Sequence, residues 1–357
     1  MNFVSGMLLI DAPASALNNS GEDIPGARTE NTSSVKFIRA KDGTYPYVSA
    51  QAFRYWLRNT LEASEDLEWK ASLIVREDKV AYTDANPLLY WDDDLLGYMR
   101  APSKKKKDQK DQGNEKLTPM EEDEKGNPKP VTRASPFRVS TLVSLTPVNI
   151  TADFGVMARH EGDPTPFEHQ FYRTVLHGLF SIDLNMVGKF YYRRRTGFQN
   201  LDAVRRKLAE KEKLEHLESE KAYRLSASDR VKRIQSLLKG IGRLQGGAKQ
   251  TLHYTDVSPA VSICAVVKGG NHPFNYLFSG ERDSLKFNRN AFVEALTDIK
   301  GNLLSPIWIG WKPGFSLSAQ QMLDDIQIEG VQLIGDTPHG AFDGLAQWIA
   351  ENPEVLR

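Results

Sequence analysis

Apolar residues in this chain recur mostly in short alternating runs, interrupted by a few stretches of helical period. Residues 2 to 12, NFVSGMLLIDA, form an apolar run ended by Pro13 and predict a central strand. The following ASALNNSGEDIPGARTEN, rich in Asn, Gly and Pro, predicts a loop. From Ser49 the period becomes helical. Ser49 is placed to cap, Phe53, Trp56, Leu57 and Thr60 fall on one side, and Gln51, Arg54 and Arg58 share a narrow arc on the other. Residues 64 to 101 mix apolar and acidic positions (LEWKASLIV, NPLLYWDDDLLGYM) and suggest a small helical region. Residues 102 to 134 hold almost no large apolar side chain and predict a mobile insertion.

Alternation returns in SPFRVSTLVSLTPVNITADF, which predicts a strand. VMARHEGDPTPFEHQFYRTVLHG reads as two flanks of a protruding hairpin about Gly-Asp-Pro. In LFSIDLNMVGKF, Phe180, Ile182, Leu184 and Met186 alternate as in a strand. Residues 199 to 239 are helical and highly charged, PAVSICAVVKGG and PIWIGW predict two more strands, and helices are expected near 288 to 299 and 338 to 351. The major elements thus run β, α, β, β, α, β. This predicts an α+β fold with a split βαβ, ferredoxin-like sheet, the arrangement also found in RNA recognition motifs.

With 357 residues, 40% of them apolar, the chain has enough material for a substantial core carrying insertions. The opening MNFVSGMLLIDAP lacks a basic leader and reaches Asp11 too soon for a membrane span, so a cytoplasmic protein is expected. A single cysteine, Cys264, excludes an internal disulfide and a Cys-rich zinc site and reads as a buried strand residue.

Charge changes the picture locally. The formal net charge is zero, yet between residues 28 and 58 Arg28, Lys36, Arg39, Lys41, Arg54 and Arg58 face only Glu30 and Asp42. An excess of basic residues beside a helix N-terminus suits a polyanion, although arginines four apart are also what an ordinary solvated helix face carries. GIGRLQGGAKQ lacks the Gly-Lys-Ser/Thr of a nucleotide-hydrolysing phosphate loop. Gly246 and Gly247 next to Lys249 and Gln250 instead allow backbone N–H groups to approach a phosphate, or simply end a helix.

The seven histidines show no HExxH spacing, and His160, His169 and His177 on the hairpin suit surface or packing roles. Asp92 to Asp94 cluster carboxylates without a further spaced metal ligand, and no nucleophilic triad appears. MVGKFYYRR lacks the aromatic spacing of a base-stacking RNA recognition sheet, so backbone-directed binding fits better.

Taken together, LLIDAPASALNNSG, ARTENT, KFIRAKDGTYPYVSAQAFRYWLR, SIDLNMVGKF and LQGGAKQ resemble the DevR-type (Cas seven family) backbone subunit of type I CRISPR Cascade complexes, most closely the I-B branch. The resemblance implies a hand-shaped protein without catalytic activity, cofactor or metal. Its palm would comprise residues 1–63, 135–153 and 178–357, its helical fingers residues 64–134, and its thumb hairpin residues 154–177. Copies would stack along one CRISPR RNA (crRNA), grip its phosphates and present it to target DNA. They would do so beside the 5′-handle-binding, large and small subunits and a crRNA-processing endoribonuclease.

The RNA-binding residues implied are Asn18, Arg28, Lys36, Arg39, Ser49, Gln51, Arg54, Arg58, Lys249 and Gln250, with Gln51, Arg54 and Arg58 facing Lys249 across one strand of RNA. On the thumb, Met157, Arg159 and Phe167 are the expected base-displacing residues. Ala50 stands where many relatives have a second serine, and the lysine-rich stretch 104–110 matches nothing in the pattern. The rival reading is a metal-dependent ribonuclease acting through Asp23, beside Glu22, as in type III relatives.

Overall fold

Strand β1 (Asn2–Ser15) sends alternate side chains into two separate cores, which is why its sequence is almost continuously apolar. Val4, Leu8 and Ile10 enter one core, and Phe3, Met7 and Leu9 enter the other. The structure is a computed structural model that describes residues 1–357 except 22, 23, 25, 78, 79, 102–116, 160, 282, 283 and 325. Numbered along the chain, the other elements that position the site begin with β2 (Thr32–Ser33), β3 (Phe37–Ala40), β4 (Gly43–Val48) and α1 (Ala50–Ala63). They continue with α2 (Trp91–Leu96), β5 (Leu142–Ser144), β6 (Thr151–Met157) and β7 (Thr165–Asp183). The last are α3 (Ala227–Gly242), β8 (Val261–Lys268) and α4 (Pro338–Glu351).

The main sheet is mixed, and its central strands lie in the order β8-β1-β7-β5-β4-β3, with Ile307–Trp311 and then Leu333–Asp336 beyond β8. β1 runs antiparallel to both neighbours, pairing Phe3 with Asp183 and Gly6 with Cys264. With α1 following β1 and α3 following β7, the four strands β8-β1-β7-β5 have the split βαβ order expected from the sequence. α1, α3 and α4 cover one face through Phe53, Leu57, Ile234, Leu237, Phe342 and Leu345. The helix Arg289–Ile299 and the hairpin Phe278–Glu281/Ser284–Phe287 help cover the other.

Strand β7 is long enough to serve two purposes. Its second half lies in the sheet, whereas its first half leaves it to pair with β6, Met157 opposite Thr165, and in parallel with β2, Glu168 opposite Thr32. A projecting hairpin is thereby continuous with the centre of the fold.

Several expectations need correction. β1 runs past Pro13 to Ser15, because its pairing with β7 is irregular between Ala12 and Ser15 and a proline is tolerated there. The basic strand before α1 is a hairpin, with Ile38 paired to Tyr45, so Tyr45, Pro46 and Tyr47 belong to β4. Residues 64–101 are not mainly helical. They hold the strands Ile74–Glu77, Val80–Thr83 and Tyr98–Arg100 around the six-residue α2, because short apolar runs rich in β-branched residues suit strands. Leu184 and Met186 lie in a turn after β7. Residues 117–134, expected to be mobile, include the strand Val131–Arg133 and dock through Thr118, which donates to the buried Asp84. The lysine-rich stretch 104–110 lies outside the described residues.

Candidate nucleic-acid interface

The entry to α1 is built from three separate segments. Ser49 has extended backbone and its hydroxyl accepts from Ala52 N at 3.3 Å, the N-cap geometry its sequence position implies. The Asn18 side-chain carbonyl accepts from Ser49 N at 3.0 Å, and its backbone carbonyl accepts from Lys36 N at 2.9 Å. Asn18 thus ties the loop after β1 to the residue preceding β3 and to the helix cap.

The glycine turn docks against this assembly. Gly246 has φ +146°, and a Cβ there would lie 2.5 Å from Trp56 Cγ. Gly247 has φ +103°, and a Cβ would lie 2.7 Å from Leu17 Cδ2. Only glycine permits both the conformation and the approach. Gln245 N donates to Thr60 Oγ1 at 2.9 Å and Ala248 N donates to Leu17 O at 3.0 Å, fixing the turn to α1 and to the loop after β1.

Gln250 binds inside the turn, donating to Gly246 O and accepting from Thr255 N. Lys249 sits in the left-handed region at φ +53°. Its ammonium has no ion pair among the described residues, and burial pulls its pKa below the ordinary lysine value.

The expected facing of Lys249 by Arg54 and Arg58 does not match the contacts that the two arginines make. The turn lies against the Trp56 and Thr60 side of α1, and the arginines project from the opposite side. Arg54 donates to Phe137 O at 2.6 Å, to Ser135 Oγ at 3.2 Å and to Leu96 O at 3.3 Å, and it lies over the Phe137 ring. Arg58 Nε lies 3.5 Å from Asp92 Oδ2. Both guanidinium groups therefore attach α1 to the segments around α2 and residue 137. Gln51, Arg28 and Arg39 are exposed, with Arg39 over the Phe37 ring and Arg28 N donating to Glu168.

On the hairpin, Met157 and Arg159 are exposed, as are Phe154 and Val156. Phe167 differs, because its ring packs across Gly155 on the paired strand and stacks towards His169, with centroids 5.8 Å apart. That stack continues into a feature the sequence did not single out. The His169 and His253 rings are 4.9 Å apart, and Phe171 stacks on His253 at 4.9 Å. The alternation of Phe167, His169 and Phe171 marks one face of β7, and His253 follows Lys249 by one helical turn's spacing. Neither signal says that the two segments meet.

The clustered acids of α2 are buried and bonded within the fold, although one oxygen each of Asp92 and Asp93 has no hydrogen-bond partner. Asp94 accepts from Arg133 at 2.5 Å, from Arg233 at 2.6 Å and from Gly188 N at 2.9 Å. Asp92 accepts from Ser72 N at 2.8 Å, and Asp93 accepts from Asn86 N at 2.8 Å. Among the described residues no group of three or more His, Cys, Asp or Glu is placed to hold a metal ion, while Glu22 and Asp23 lie outside the described residues. Among those residues, too, no helix is long and apolar enough to cross a membrane.

Comparison with known proteins adds the family. Two solved chains share the architecture, one from a "CRISPR RNA-guided surveillance complex, pre-nicking" and one from a "CRISPR RNA-guided surveillance complex". The first has a TM-score of 0.55 and 10% identity, covering 97% of this chain and 99% of its own. The second has a TM-score of 0.51 and 12% identity, with the same coverage of both chains. At such identities the likeness is one of fold. No curated protein sequence matches. The family model described as "CRISPR-associated negative auto-regulator DevR/Csa2" matches residues 12–283, well over half of the chain, and the protein therefore belongs to the DevR/Csa2 family of CRISPR-associated proteins.

Proposed function

We propose that this protein is the crRNA-binding backbone subunit of a type I Cascade complex, of the I-B branch, and that it acts without catalysing a reaction. The observation that carries this reading is Lys249, a lysine without an ion pair among the described residues, held in a left-handed turn by Gly246 and Gly247 beside the capped entry to α1. A basic side chain presented by a fixed turn binds a phosphodiester without reading sequence. Family membership and the likeness to chains of RNA-guided surveillance complexes support the same conclusion.

In this reading residues 1–63, 135–153 and 178–357 form the palm, residues 64–134 the fingers and residues 154–177 the thumb. Asn18, Lys36, Arg39, Ser49, Gln51, Lys249 and Gln250 make or shape the RNA track, and Arg28 lies at the base of the thumb. Arg54 and Arg58 serve it by fixing α1 to the fingers. Met157 and Arg159 at the thumb tip meet the next copy's guide bases, with Phe167 bracing the hairpin. The partners are crRNA, target DNA, further copies of this chain, the 5′-handle-binding, large and small subunits and the crRNA-processing endoribonuclease, all in the cytoplasm.

The test is purification with co-expressed partners and a CRISPR array, followed by sequencing of the retained RNA. Short RNAs of uniform length sharing one repeat-derived end are expected. Recovery of the folded protein without RNA, or with random RNA fragments, would sink the proposal.

A further inference from the structure

Where the hairpin meets the glycine turn, two imidazoles and an ammonium are gathered with little to neutralise them. His169 projects from β7 and is 5% exposed, and its ring lies between those of Phe167 and His253. His253 comes from the turn and lies between His169 and Phe171. His169 Nδ1 and His253 Nε2 are both buried without a hydrogen-bond partner. The charged groups that face the pair are Lys249 from the turn and Asp153 from β6, whose Oδ2 is 3.6 Å from His169 Nε2. One exposed carboxylate thus stands against three nitrogen bases.

We infer that His169 and His253 form a proton-accepting part of the anion site at Lys249, so that a phosphodiester bound there draws protons onto the imidazole pair. The inference rests on the RNA-binding reading and adds to it a regulation by pH. In the free protein, burial, Lys249 and the neighbouring imidazole hold the His253 pKa below the ordinary histidine value, and burial followed by Lys249 does the same for His169. A phosphate at Lys249 brings negative charge beside both rings and favours their charged form. Binding that raises a pKa takes up protons, and affinity then rises as pH falls between the free and bound values. The aromatic neighbours Phe167 and Phe171 stack on the two imidazoles and hold them in place beside Lys249.

The experiment titrates a fluorescent single-stranded RNA oligonucleotide into the full chain between pH 6 and 8 at fixed ionic strength. Isothermal titration in two buffers of different ionisation enthalpy then counts protons. The affinity of the native protein is expected to rise about tenfold across that range, with about one proton taken up near pH 6.5. His253→Gln, at a half-buried position, should bind RNA with a flattened pH profile and reduced proton uptake, and His169→Gln should do the same where it folds. Proton uptake by the native protein needs no variant, so a misfolded His169→Gln cannot mask the result. RNA binding with no proton uptake, or an unchanged pH slope in His253→Gln, would overturn the histidine inference and leave the RNA-binding reading standing. Absence of RNA binding at every pH by folded protein would remove both.

Discussion

Arg58 Nε and Asp92 Oδ2 lie 3.5 Å apart with Asp92 fully buried, and neither atom has a hydrogen-bond partner. The contact is one of charge, and it joins α1 to α2. Burial raises the Asp92 pKa, and Arg58 is the largest influence drawing it back. Arg58→Ala is expected to cost about 1–3 kcal/mol at neutral pH, between the values for exposed and fully buried pairs. Urea unfolding measures it. The loss should shrink at acid pH, because a protonated Asp92 no longer needs the cation. An equal loss at every pH would point to packing instead of charge.

Asp93 supplies a stability prediction of opposite sign to the usual carboxylate. Burial and then the adjacent Asp92 push its pKa up to about 7, from an unperturbed 3.8. Between those values the folded state holds more protons than the unfolded state, so stability falls as pH rises through that window. Asp93→Asn cannot ionise, and its side-chain oxygen can still accept from Asn86 N. The variant should be more stable than the native protein by about 1–3 kcal/mol at pH 8 and should lose the advantage at pH 5. Thermal melts across that range would show a flatter profile for the variant. A parallel profile would place the titration elsewhere.

How far the sequence carried is clearest at α1. Its cap, its buried face of Phe53, Trp56 and Leu57 and its polar arc are local properties, and periodicity revealed all of them. What the polar arc touches is not local. Arg54 reaches carbonyls at residues 96 and 137, and the glycine turn docks on the Trp56 side because Gly246 alone can approach the indole. The meeting of His169 with His253 depends likewise on where the hairpin leaves the sheet. The strands within residues 64–101 were missed because short apolar runs carry too few residues to separate the two periods.

Gly246→Ala tests the docking. The added methyl has to displace Trp56 or move the turn, and φ +146° is itself unfavourable for alanine. A loss of about 1–3 kcal/mol in stability is expected. RNA affinity should fall with it even where the protein remains folded, because Lys249 moves with the turn. Full RNA affinity in a folded Gly246→Ala protein would disconnect the turn from the binding site.

Lys249→Ala separates the phosphate contact from the structure around it. The side chain has no ion pair among the described residues, so its removal should leave thermal stability within about 0.5 kcal/mol. Affinity should fall evenly across RNA sequences, and the slope of log K against log salt should decrease by about 0.7, the share of one single-strand phosphate. Measurements on homopolymer RNAs at several salt concentrations distinguish this from base recognition. A loss confined to one sequence would contradict a backbone contact.

The hairpin tip provides the remaining prediction. Val156 is 51% exposed and Met157 is 57% exposed, so two sizeable apolar side chains face solvent in the isolated chain. Their strand is held by backbone pairing with β7, which side-chain replacement leaves in place. Met157→Asp combined with Val156→Asp should therefore leave the fold intact, with a stability change of about 1 kcal/mol or less. A charge at the tip would have to be desolvated against a neighbouring copy or a base, and burial of an unpaired carboxylate is costly. The variant should bind a short RNA normally yet fail to cover a long one, and nuclease protection should lose its regular spacing. Regular protection by the double variant would show that the tip plays no part in assembly along RNA.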